Sequence, residues 1–205
     1  MSSIQPTPVN QLTEDQLRTM LFQSLVKQNP SDVIVERWSS HSVKTGSEVQ
    51  RQFLLNEIEV GRFRLAPVDS IISFMGGLKN VLSFTAFEVK GNTKTSKGSF
   101  VPPSTRAGIE QAVVNLHQGA DYSVIVRPDP GDEKRGHLIK MCETYAPRVD
   151  LWLYDGKSFV GWKQSPVPIF NAANEQEKRR MLTMLIASGG RSRINLPDWA
   201  KQGKY

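Results

Sequence analysis

The stretch VDLWLYDGKSFVGWK, residues 149–163, decides the reading of the fold. Asp155-Gly156 separates two extended, aromatic-rich runs. That is the strongest short-range hairpin signal, because the turns that match strand twist need positive φ. Trp152, Tyr154, Phe159 and Trp162 are expected to pair across the strands. Working outward from this hairpin, the chain reads as α+β: a mixed, mostly antiparallel sheet with about four helices, a flexible N-terminal arm and a basic C-terminal tail.

Upstream, 122–127 (YSVIVR) and 137–143 (HLIKMCE) read as strands joined by the turn PDPGDEKRG. Residues 81–90, VLSFTAFEVK, alternate cleanly and read as a strand, as do 33–39 and two extended stretches within 48–65. Val68, Ile71, Ile72, Met75 and Leu78 recur at helical spacing, which predicts a short helix over 68–77 with Asp69 near its positive end. Thr13 and Gln16 form a capping box that opens a helix over 13–28. Further helices are expected at 105–118 and 174–188, the latter capped by Asn174. The run 91–104 is rich in breakers and reads as a long mobile loop. The organisation expected is an arm over 1–10, one α+β domain over 11–190 and a tail over 191–205.

The chain has 205 residues, 39% of them hydrophobic, and a net charge of +6. No apolar run approaches the roughly 20 residues of a membrane span, and no secretory signal is visible, so an intracellular, cytoplasmic location is expected, or a virion if the protein is viral. The single cysteine, Cys142, excludes an internal disulfide framework and a multi-thiolate zinc site. The charge is clustered. Residues 178–205 carry seven cations against Asp198 alone, and 89–106 carry Lys90, Lys94, Lys97 and Arg106 with no acid. Such zones attract nucleic acid or anionic headgroups.

Catalytic patterns are sparse. No nucleophile elbow, nucleotide-binding loop or zinc motif occurs, and His41, His117 and His137 lie in no metal-binding spacing. Asp150, the Asp155-Gly156 turn and Lys163, with a helix to follow, resemble the hairpin of the PD-(D/E)xK nuclease superfamily. That chemistry uses two carboxylates to hold a divalent metal and a lysine to position or activate water. The resemblance puts the second acid two residues before the lysine, where this chain has Gly161, so it implies an inactive nuclease-like protein.

The residues therefore lead to a non-enzymatic, self-assembling structural protein that binds nucleic acid, RNA favoured, as in viral capsids or nucleocapsids. A matrix-like protein bridging nucleoprotein and anionic membrane is the second expectation. Lys90, Lys94, Lys97, Arg106, Lys178, Arg179, Arg180, Arg191 and Arg193 are the expected nucleic-acid contacts. Ile194, Leu196 and Trp199 are the expected assembly anchors, and no cofactor or metal is expected.

Overall fold

Thr13 opens the first helix, α1 (Glu14–Gln28), by the reciprocal cap expected of it. Its hydroxyl accepts from the Gln16 N–H, and Gln16 Oε1 accepts from the Thr13 N–H at 3.0 Å. Leu17, Leu21 and Leu25 recur one helical turn apart and form the buried stripe. The computed structural model describes residues 7–36, 70–76, 82–117, 120–164, 178–179, 182 and 193–202.

The strands are β1 (Val33–Glu36), β2 (Ser70–Gly76), β3 (Leu82–Val89), β4 (Thr93–Lys94), β5 (Phe100–Val101), β6 (Tyr122–Pro128), β7 (Asp150–Tyr154), β8 (Phe159–Lys163) and β9 (Arg193–Asn195). Among the described residues, further helices are α2 (Thr105–His117), α3 (Asp132–Tyr145) and the short α4 (Asp198–Lys201), with Lys178, Arg179 and Leu182 also helical. Seven strands form one mixed sheet in the order β8-β7-β6-β3-β2-β1-β9, and β4 and β5 form a separate two-stranded ribbon. Only β3–β6 and β6–β7 are parallel among the described strands; every other pairing is antiparallel. The fold is α+β with mostly antiparallel strands, as the sequence indicates.

Helix α1 covers one face of the sheet, over Ile34, Ile71, Phe87, Val89, Val124 and Val126. On the opposite face, α2 and α3 bury Ile109, Leu116, Leu138 and Cys142 against Ile125, Leu151 and Leu153. Beside them Phe74 and Phe84 stack at 5.1 Å between centroids, joined by Val33, Val35, Ile72 and Leu182. The central strands are thus buried on both faces.

That double burial explains two corrections. The apolar run expected as a helix over 68–77 is the strand β2, in register with β1 and β3. Ile71 and Ile72 point to opposite faces and both are buried, so the run is continuous and mimics helical spacing. The strand expected over 137–143 is instead part of α3. Leu138 and Cys142 are one turn apart on its buried side, and the expected turn PDPGDEKRG contains the helix's first residues. The loop expected over 91–104 contains the ordered β4–β5 ribbon.

The 149–163 hairpin is present as β7–β8. Tyr154 and Phe159 pair directly, with centroids 5.0 Å apart. Trp152 turns to Phe87 across the sheet, and Trp162 lies under the Arg135 guanidinium. A bulge between Leu151 and Trp152 breaks the expected four-aromatic ladder. The helix expected over 174–188 is described at Lys178, Arg179 and Leu182, all helical; its other residues, and all of 48–65, lie outside the described residues. No helix among the described residues is long and apolar enough to cross a membrane.

Candidate active site

The parallel strands β3, β6 and β7 point their carboxyl ends the same way. At the end of β3 stand Glu88 and Lys90. Two residues apart on a strand, they project on the same face. Lys90 Nζ lies 2.7 Å from Glu88 Oε1, with the carboxylate side chain fully buried and the lysine side chain 16% exposed. A carboxylate carried so deep is tolerated only with a charged partner. The lysine stem runs along α2, since a Cβ on Gly108 would sit 3.4 Å from Lys90 Cγ.

Neighbouring elements close around this pair. Ser70, the first residue of β2, is in register with Glu88, and Asp69 precedes it in the chain. Asp69 itself lies outside the described residues. Gly91 runs beneath the start of α1 so closely that a Cβ there would fall 2.0 Å from the Glu14 backbone nitrogen. Only glycine permits that approach. Arg127, at the end of β6, is buried beside the pair's face; it donates to Thr105 Oγ1 at 3.0 Å and Pro103 O at 3.3 Å. Burial pushes the Arg127 guanidinium down from its ordinary range. Among the described residues no group of three or more His, Cys, Asp or Glu side chains is placed to hold a metal ion.

The hairpin that resembles a nuclease in sequence carries no such site. Lys163 Nζ donates to the carbonyls of Pro147 at 2.9 Å, Val149 at 2.5 Å and Ala146 at 3.4 Å. Burial lowers its ammonium below the usual lysine range, with Asp150 opposing. It satisfies the carbonyls that follow α3, a structural task. Gly161 faces the Trp152 indole, 3.5 Å from where its Cβ would be. The acid-x-lysine spacing absent there is present at Glu88-Val89-Lys90. Sequence reading misses it although the signal is present: an acid and a lysine two apart at the end of a well-patterned strand.

The expected nucleic-acid contacts separate into groups. Lys94 and Lys97 are exposed on the β4–β5 ribbon, next to Lys90 in the chain. Arg106 is exposed at the start of α2 and pairs with Glu110 at 2.7 Å. Lys178 is buried, its Nζ 2.7 Å from Asp121 Oδ2, so it meets a carboxylate and not a phosphate. Arg193 reaches across from β9 to ion-pair with Glu36, donates to Thr19 Oγ1 and lies over the Phe22 ring. Arg179 is half-buried, and Arg180 and Arg191 lie outside the described residues. Of the assembly anchors, Ile194, Leu196 and Trp199 are half-buried against this chain's own core, with Trp199 Nε1 donating to Ser31 O at 2.6 Å.

No family model matches the chain, and neither the curated proteins nor the solved structures give a significant match.

Proposed function

We propose that the protein is a metal-dependent phosphodiesterase of nucleic acid, with Glu88 as a metal-binding carboxylate and Lys90 as the lysine beside the reacting phosphate. The observation that carries this is the Glu88–Lys90 pair, 2.7 Å apart at the carboxyl end of the parallel strands. Magnesium is commonly held by one or two carboxylates plus substrate phosphates, so Glu88 would hold it together with the phosphate. The bound ion would supply a more acidic water and a clamp on the phosphate oxygens. Glu88, fully buried with Lys90 Nζ on its Oε1, would take the ion as Lys90 turns from the carboxylate to the phosphate. Lys90, one face of which reaches solvent, would orient the phosphate and offset the negative charge that builds on its oxygens. This function departs from the non-enzymatic expectation, and from the inactive nuclease-like protein that the β7–β8 resemblance implies, because the acid and lysine pattern it rests on is the one at the end of β3.

Hydrolysis of a supercoiled plasmid and of bis(p-nitrophenyl) phosphate with magnesium or manganese tests the proposal. Glu88→Gln and Lys90→Gln, each verified as folded by thermal melting, should lose about 100-fold or more of the rate, the scale of a lost electrostatic stabiliser. Asp150→Asn should cleave like the parent chain. Chelation of divalent metal should abolish cleavage. Cleavage that survives Glu88→Gln, or no cleavage by the parent chain, overturns the assignment. In the second case the exposed Lys94 and Lys97 support the alternative, a non-enzymatic nucleic-acid-binding protein.

A further inference from the structure

Between Glu88 and Glu110 the chain carries no acidic residue. Within that span β4 and β5 form a two-stranded ribbon that belongs to neither layer of the core. Thr93, Lys94, Ser96, Lys97, Gly98, Ser99 and Val101 are all exposed. A lone two-stranded ribbon is marginal in water, yet this one is fastened at both feet. At one foot the buried Asn92 donates its backbone N–H to Leu12 O at 2.8 Å, and its Nδ2 to Val9 O and Leu12 O at 3.2 and 3.1 Å. At the other, Arg127 holds Pro103 O and Thr105 Oγ1. The tip is also built: Thr95 N–H donates to Ser99 O at 2.8 Å, Gly98 N–H to Thr95 O at 3.0 Å, and the Thr95 and Ser99 hydroxyls meet at 2.7 Å. Gly98 has φ 81°, the left-handed conformation that closes the turn.

We infer that this ribbon is an arm that enters the major groove of double-stranded DNA and holds the duplex against the Glu88–Lys90 centre. The location of that centre rests on the proposed function; the arm's binding does not. Three features select this partner. A fastened ribbon that is exposed except at the half-buried Thr95 and Phe100 has a partner-facing surface ready-made, at little ordering cost. Its charge is uniformly positive, with Lys94 and Lys97 set for phosphates and Thr93, Thr95, Ser96 and Ser99 able to donate and accept at base edges. The B-form major groove, about 12 Å wide, admits a two-stranded ribbon, whereas the A-form major groove of duplex RNA is too deep and narrow for side chains to read. The arm also begins two residues after Lys90. Four residues of extended chain put Lys94 within about 14 Å of it, so phosphates gripped by the arm lie close to the reacting one.

Fluorescence anisotropy in chelator, where metal-dependent cleavage is silent, separates binding from chemistry. The probes are a 24-base-pair DNA duplex, one of its strands alone and the matching RNA duplex, each titrated with salt. The parent chain should bind the DNA duplex most tightly. Lys94→Gln/Lys97→Gln, with an unchanged thermal melt, should flatten the log–log salt slope on duplex DNA by about 1.8, since each phosphate left without its lysine lowers it by about 0.9. An unchanged slope, or binding to the single strand or RNA duplex as tight as to duplex DNA, overturns the arm while leaving the catalytic proposal standing. A flattened slope in a chain that hydrolyses nothing keeps the arm and overturns the catalytic proposal.

Discussion

Asp32 carries a consequence of burial that can be measured. It lies at the entrance to β1, 9% exposed, with the Ser73 hydroxyl donating to its Oδ2 at 3.3 Å. Burial raises its carboxyl above the ordinary value, and the hydroxyl offsets this only in part. As pH rises past the ordinary carboxylate value the unfolded chain loses its proton first. Stability therefore falls until the folded carboxyl also ionises, and stays lower above that point. Asp32→Asn should then raise the urea midpoint at pH 7 and bring little gain below about pH 3, where both states of the parent are protonated. An equal difference at both pH values would assign the effect to packing instead. Glu88 belongs to the same scale. Its type and spacing are written in the chain, but its meaning depends on Lys90 folding back onto it and on α2 covering the stem.

At the scale of elements, the sheet depends on an ion pair that composition counts as surface charge. Asp121 accepts from the Phe84 N–H at 2.8 Å and from Lys178 Nζ at 2.9 and 2.7 Å, and both side chains are buried. The pair ties the entry of β6 to β3 and to Lys178, one of the helical residues Lys178, Arg179 and Leu182. Lys178→Ala should destabilise the protein by about 3–5 kcal/mol, because it strands a buried carboxylate. Lys97→Gln, on the exposed ribbon, should stay within about 0.5 kcal/mol. Chemical denaturation compares the two, and a Lys178→Ala chain as stable as the Lys97→Gln chain would place the lysine in solvent. Helix α1 and the β7–β8 hairpin are legible in the sequence because cap and turn chemistry are local. Strand β2 and helix α3 are not. A strand buried on both faces loses its alternation, and α3 crowds Leu138, Ile139, Met141 and Cys142 into five residues, an apolar run that reads locally as a strand.

For the whole molecule, the C-terminal stretch contributes structure as well as charge. β9 pairs with β1 from Ile34↔Asn195 to Glu36↔Arg193 and forms one edge of the seven-stranded sheet. Behind it Ile194, Leu196 and Trp199 cover the cluster around Phe74 and Phe84. Removing residues 191–205 should therefore expose β1 as a new edge beside an uncovered apolar cluster. The expected outcome is a lower melting temperature and concentration-dependent association in light scattering. A truncated chain with the parent's melting temperature and size would return the stretch to the role of a charged appendage. The proposed nucleic-acid binding lies elsewhere, on the arm between Glu88 and Glu110.

The chain by itself determined what short-range physics controls: the capped start of α1, the Asp-Gly turn of β7–β8, the α+β class and the clustering of charge. Each follows from side chains acting within a few residues of one another. Tertiary structure decided which cations pair with acids of this chain. Lys178 and Arg193 are drawn to Asp121 and Glu36, 57 and 157 residues away, while Lys94 and Lys97 stay exposed on the ribbon. It also decided which acid-and-lysine pattern can serve as a site. Lys163 is consumed by backbone carbonyls, and Lys90 meets a buried carboxylate where parallel strands end. Partners that distant in sequence leave no local mark, because charge pairing and burial are set by the packed layers and not by spacing along the chain.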